Sequence, residues 1–177
     1  MSVIAKHSMF DGLFSVALKP TGAFREDLKS AGFDPDRPKP EYALRVWHDC
    51  VDVAARHLYP NERRERAWEL VGERFIEGYL QTLVGKLIAV ALPFLSPQSF
   101  VQRAPRFMST GLVGAEVKLD WKGSKSATVT LTNVEHPACH LLAGVIAVSL
   151  GRINARGVKI QASPFGNEGS QVTVSWE

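Results

Sequence analysis

The densest set of reactive residue types in this 177-residue chain is His136-Pro137-Ala138-Cys139-His140. Cys139 falls at the start of a helix-like stretch. There the helix dipole favours a thiolate and lowers the thiol pKa, as a nucleophile or acylation site requires. His140 is its neighbour, but successive residues on a helix project about 100° apart, so adjacency does not make a dyad. The competing reading is a buried structural cysteine, because free Cys is among the most buried residue types. A second set, His48-Asp49-Cys50-Val51-Asp52, puts His48 and Asp52 four residues apart on one helical face. Two ligand types do not define a metal site, and Cys50 belongs to an apolar stripe. The pair therefore reads as a surface His–Asp contact. His57 reads as a polar-face or last-turn histidine, favourable there when protonated.

No catalytic pattern accompanies these sets. Gly-x-Ser-x-Gly, the P-loop, the dinucleotide-binding glycines and His-Glu-x-x-His are all absent from the sequence. Two cysteines are too few for a disulfide framework or a zinc ribbon. The net charge of +3 is spread evenly, with 15 basic and 13 acidic residues before position 111 and 6 and 5 after it. No basic stripe emerges, which argues against nucleic acid as a partner. With 45% hydrophobic residues and a mean hydropathy of −0.05, the chain has the composition of one soluble globular domain. The start has no basic segment leading into an apolar one, and the apolar stretch Tyr79–Leu95 holds Gln81, Thr82, Lys86 and Pro93. Neither a signal peptide nor a membrane span is expected, and the reading is a cytoplasmic protein with free thiols.

The elements that must position these residues are legible from periodicity. Phe10–Leu18 reads as a short strand or a helical turn, and residues 32–40, with three prolines, as a connector. Ala43, Trp47, Cys50, Ala54 and Leu58 repeat at helical spacing, predicting a helix over 41–58. Asn61 would cap a second helix over 62–92, about 46 Å long at 1.5 Å per residue. Its first half is amphipathic, with Phe75 on the inner side and Glu65, Glu69, Glu73 and Glu77 in one row on another. That row reads as a solvated face, or as a docking strip for a basic partner. The second half has one charge, Lys86, and is expected to be buried all round. Gly78, Thr82, Gly85 and Ala89 make a ridge of small residues along it. The ridge reads as packing on the protein's own sheet, as a homodimer seam, or as the wall of a ligand cavity. Ser96-Pro97 opens a shorter helix to Met108 that Pro105 bends or cuts short.

After residue 111 the period changes to two. Val113, Ala115, Val117, Leu119 and Trp121 alternate, and Ala127, Val129 and Leu131 continue as a hairpin partner. A helix over 138–150, ended by Gly151, and two strands near 158–162 and 171–176 complete a β-β-α-β-β unit. The fold class is α+β: N-terminal helices over 1–110 packed on an antiparallel sheet within 111–177, in a single domain spanning 1–177.

Several segments carry a family resemblance: Phe10-Asp-Gly-Leu-Phe14, Ala31-Gly-Phe-Asp34, Leu58-Tyr-Pro60, Val71–Lys86 with its Gly-Tyr-x-x-Thr-x-x-Gly core at 78–85, and the ending Val172–Trp176. On these the chain resembles the myxobacterial paralogous family of uncharacterised proteins. That family is similar to the wider group with the NO-signalling and Golgi-transport fold: four-vinyl-reductase-type sensors, haem-NO-binding domains and TRAPP-type subunits. The resemblance implies a fold that dimerises through helices and encloses an apolar cavity, and leaves function open. Haem-binding members need an axial His and a Tyr-x-Ser-x-Arg cluster, which this sequence lacks. The zinc-holding members use several cysteines, and here only Cys139 has a matching place. Neither haem nor zinc is carried over, and no cofactor is expected.

Three functions follow in order. The first is a non-enzymatic regulatory or protein-interaction domain, a homodimer built on Gly78, Thr82, Gly85 and Ala89. The second is a sensor of a small apolar ligand in a pocket lined by Trp47, Phe75, Tyr79, Leu83 and Trp121. The third is a thiol-dependent enzyme using Cys139.

Overall fold

The computed structural model describes residues 2–134, 137–166 and 169–177, and the chain enters it as a short strand, β1 (Ile4–Lys6). Helix α1 (His7–Phe10) continues into a π-helical segment (Asp11–Leu18), so the ambiguous stretch 10–18 is helical. Lys19, left-handed at φ 49°, ends it, and α2 (Gly22–Ser30) follows. Residues 41–43 are not helical: β2 (Glu41–Ala43) pairs antiparallel with β1, and α3 (Leu44–Leu58) starts after it. The His7 amide donates to the Pro40 carbonyl at 2.9 Å, which holds the two strand ends in register.

The expected rod over 62–92 does not form. Helix α4 (Arg64–Tyr79) and helix α5 (Leu83–Ala91), with a 3₁₀ turn (Leu92–Phe94) after it, are bent by 93°. Thr82 makes the break. Its hydroxyl donates to the Tyr79 carbonyl at 2.7 Å and accepts from the Gly85 amide at 3.0 Å, ending one helix and N-capping the next. At the other end of α4, Arg63 and not Asn61 occupies the N-cap position. The Ser96–Met108 helix divides into α6 (Pro97–Gln102) and α7 (Ala104–Ser109), since Pro105 has no N–H to continue the ladder.

Strand β3 (Leu112–Val113) joins β1, completing a small antiparallel sheet in the order β2-β1-β3. The C-terminal unit follows the sequence reading: β4 (Glu116–Gly123), β5 (Ser126–Thr132), α8 (Ala138–Arg152), β6 (Lys159–Phe165) and β7 (Gly169–Ser175). These strands form a second antiparallel sheet, β4-β5-β7-β6. Its register aligns Leu119, Val129, Val172 and Ala162 in one row. The edge strand β4 alternates Glu116, Lys118, Asp120 and Lys122 with its apolar residues, and the edge strand β6 carries Pro164 opposite Ser170. Gly151 lies inside α8 rather than just past it. Asn154, at φ 57°, takes the left-handed position, and the Asn154 and Ala155 amides close on the Gly151 and Leu150 carbonyls.

The structure is α+β, and its layers follow from which faces are apolar. Helix α8 lies between the sheet and α4, and α4 in turn packs on the π-helical segment and α3. Trp47, Trp68, Phe10, Phe14, Leu131 and Leu150 are among the large side chains buried in the resulting core. The α4–α8 contact is made by backbone: a Cβ on Gly72 would drive into the Leu141 carbonyl, and one on Gly144 into the Glu69 carbonyl. Gly144→Ala should therefore destabilise the protein by about 1–3 kcal/mol or more, read as a lower urea midpoint. Gly151→Ala has open space at its Cβ and an ordinary helical φ, and should instead add about 0.5–1 kcal/mol.

Candidate functional site

The break between α4 and α5 leaves space. A cavity of about 130 Å³ lies where α3, α4, α5, α7 and α8 meet β5. Its walls are Leu44, Trp47 and His48 from α3, Phe75, Ile76 and Tyr79 from α4, Ile88 from α5, Phe107 and Met108 from α7, Leu131 from β5, and Leu141, Leu142 and Val145 from α8. Helical phase explains the set: Phe75, Ile76 and Tyr79 share one side of α4, and Leu141, Leu142 and Val145 one side of α8. No lining residue among those described is Asp, Glu, Lys or Arg.

The polar atoms at the cavity are few. Thr110 donates to the Phe107 carbonyl at 2.6 Å, which commits its only proton. The Tyr79 hydroxyl at 2.8 Å from Thr110 Oγ1 is then the donor of that pair, and its own oxygen keeps acceptor capacity. Ser149 donates back into its own helix, to Val145, at 2.7 Å. His48 makes no hydrogen bond among the described residues. Its ring meets the Trp68 edge at 5.5 Å. Desolvation lowers the His48 pKa to about 4, outweighing Asp52 and Asp49, so at neutral pH the imidazole is uncharged.

Asp52 braces this wall. It accepts from Trp68 Nε1 at 2.7 Å and, in a two-toothed pair, from Arg64 at 2.9 and 2.6 Å. Burial alone would raise the Asp52 pKa, but the bonds from Arg64 and Trp68 win and hold it below the usual carboxylate range. The sequence reading of His48 and Asp52 as a surface pair is thus corrected: His48 turns to the cavity, and Asp52 turns to Trp68 and Arg64. Among the described residues no cluster of three or more His, Cys, Asp or Glu could hold a metal ion. His57 sits in the last turn of α3, 2.8 Å from Asp27 and stacked on Phe24.

The structure gathers only part of the expected pocket. Trp47, Phe75 and Tyr79 line the cavity, but Leu83 is 87% exposed and Trp121 stands on β4 against the Trp176 edge. The four small residues no longer share a ridge. Gly78 lies on the backbone of Gly12 and Ala17, Thr82 is the cap, and Gly85 lies against the Tyr79 carbonyl across the break. Ala89 is half-buried on α5. The expectation of all-round burial is also overturned, since Leu87 and Val90 are exposed along with Leu83. Sequence reading missed His48 as a cavity residue, together with Ile88, Leu142 and Val145. Their helical phase was available, but the bend that closes the cavity was not.

Cys139 behaves oppositely to the helix-dipole expectation. It is fully buried, and desolvation raises its pKa despite a bond with Ser170 and the amides of Cys139 and His140. The thiol is protonated at neutral pH, as is the buried Cys50, pushed up to about 12 by desolvation and Asp49. His136 lies outside the described residues. Glu69 and Glu73 pair with Arg66, and Glu77 with Arg74, which makes the glutamate row a solvated, ion-paired face.

Comparison with known proteins bears on this geometry. A family model described as "Protein of unknown function (DUF2378)" matches residues 4–177. No curated protein matches the sequence. Among solved structures the chain is similar to an oxygen-binding H-NOX domain related to soluble guanylate cyclases, in its oxygen complex. The identity is 13%, the TM-score 0.66, and the match covers 97% of this chain and 92% of that one. It is similar as well to an H-NOX protein from S. oneidensis in the Fe(II)NO ligation state, at 15% identity and TM-score 0.66, covering 97% and 99%. A third similar structure concerns haem redox potential modulated by porphyrin distortion, at 13% identity and TM-score 0.66, covering 97% and 92%. At such identities the likeness shows the fold.

The half-buried, desolvated His48 makes stability depend on pH. An unfolded chain takes up its proton near pH 6.5, whereas the folded one does so only near 4. Stability contributed by the neutral ring is complete above 6.5 and falls as pH drops toward 4, by a total on the order of 3 kcal/mol. Urea unfolding at pH 7 and pH 4.5 should show this loss, and His48→Gln should flatten that part of the profile.

Proposed function

We propose that this chain, which belongs to the DUF2378 family, is the ligand-binding module of a regulatory protein, and that its cavity receives a small, uncharged, mostly apolar molecule. The observation that carries the reading is the cavity: about 130 Å³, lined mainly by Trp, Phe, Leu, Ile and Met, with no charged side chain among the described residues of its walls. An apolar cavity of about 150 Å³ stays dry and accepts benzene or xenon, whereas a drug-sized ligand needs roughly 300–1,000 Å³. The H-NOX neighbours support a sensing role, since they are described in oxygen and NO complexes. On this reading the kinship with the myxobacterial paralogous family and with four-vinyl-reductase-type and TRAPP-type domains is one of scaffold.

Haem, which those neighbours imply, does not fit the residues here. The neutral His48 is an iron-ligand type facing the cavity, but no Lys or Arg among the described residues lines it to meet two propionates, and the volume is below that of a drug-sized site. The polar atoms present suit a different guest. Tyr79 offers an acceptor and His48 one acceptor and one donor, so a ligand with a single O–H or N–H is satisfied where an anion is not. Filling the cavity changes the packing of α5, whose Ile88 forms one wall, and this is the route by which occupancy becomes a signal.

Thermal unfolding with benzene, phenol and benzoate tests the reading, alongside a haemin titration followed in the Soret region. Benzene and phenol should raise the melting temperature, by the equivalent of about 2.7 kcal/mol at a hundred times Kd, and benzoate should not. Val145→Phe should abolish the shift, and Tyr79→Phe should weaken phenol while sparing benzene. Saturable one-to-one haemin binding with an axial-ligand spectrum, or no shift with either neutral ligand, would overturn it.

A further inference from the structure

The side of α5 turned away from the cavity is uncovered. Leu83, Leu87 and Val90, spaced i, i+4 and i+7, are 87%, 78% and 73% exposed, and Phe94 just beyond them is 86% exposed. The opposite side is engaged, with Gly85 and Leu92 buried and Ile88 in the cavity wall. At 100° per residue Lys86 falls on the rim of the open stripe. Single exposed apolar residues are ordinary, but three on one short helix with a fourth in the turn after it mark a contact surface.

The charge around it names the partner. Residues 78–115 contain no Asp or Glu and three cations, Lys86, Arg103 and Arg106. Without them the chain holds 18 basic and 18 acidic residues, so this segment carries the whole net charge of +3. All three cations are exposed, and among the described residues none of them forms an ion pair. We propose that this face of α5 seats the protein on an anionic lipid bilayer, with Leu83, Leu87, Val90 and Phe94 entering the interface and the cations meeting headgroup phosphates. Lys86 at the rim of an apolar stripe has the position from which a long side chain reaches the headgroups while its stem stays in the apolar layer. The stripe itself offers no hydrogen-bonding side chain that would set the register of a folded partner, and a fluid surface needs none. A second copy of this chain would bring like charges together. The proposed attachment is at the bilayer surface, and no single helix among those described is long and apolar enough to cross a membrane. The inference does not depend on the cavity's occupant.

Sedimentation with vesicles of phosphatidylcholine, with and without phosphatidylglycerol, tests it on the full chain. Binding should need the anionic lipid and weaken with added salt. Leu87→Glu and Leu83→Gln should each reduce partition about tenfold, the order expected from losing one buried Leu, and Lys86→Glu should reduce it as well. Phe165→Glu, at an exposed site on β6, should change nothing. These side chains are exposed, so an unchanged melting temperature should accompany every variant. Equal binding to both vesicle types, or no binding to either, would overturn the proposal. So would a dimer in light scattering that Leu87→Glu dissolves, since the face would then belong to a second copy.

Discussion

Two helix backbones touch where α4 crosses α8, and this contact sets the distances in the rest of the molecule. Gly72 and Gly144 each face a carbonyl of the other helix, so the helices approach more closely than side chains permit. That closeness brings Phe75 and Tyr79 of α4 level with Leu141 and Val145 of α8, and α8 in turn rests on the sheet. A wider crossing would open the floor of the cavity and loosen the register between the helical half and the strands. The core is sensitive here because close-packed interiors have little slack to absorb an added methyl group.

The bend at Thr82 has the second largest effect. A straight α4–α5 rod would carry Ile88 away from Tyr79. Turning the chain by 93° folds α5 back over the gap and makes one helix serve two surfaces. Desolvation then decides the chemistry inside. It holds His48 neutral and both thiols protonated, so the interior offers shape and a few hydrogen bonds rather than charge or nucleophiles.

Much of this was legible in the sequence where the period was long and regular. The alternation of Val117, Leu119, Val129 and Leu131 placed the hairpin, the run over 138–150 placed α8, and the β-β-α-β-β order followed. Strands β2 and β3 are three and two residues long, too short for alternation to register. The break at 80–82 was hidden by apolar residues on both sides of it, and the one local signal was Thr82 itself, a residue type that caps helices with its hydroxyl. For Cys139 the two sequence readings were a dipole-activated thiolate and a buried structural thiol, and the burial of the residue decides for the second. His48 needed the knowledge that Trp68 stands beside it, a contact between two helices that no local pattern records.

The two outer strands of the larger sheet have a further consequence for the company the molecule keeps. Pro164 on β6 removes an amide from one border, and the charges alternating along β4 guard the other. Neither margin invites a foreign strand, so the sheet ends with its own four members. Growth of the molecule by strand addition, the commonest way one sheet enlists another, is thereby discouraged at both borders.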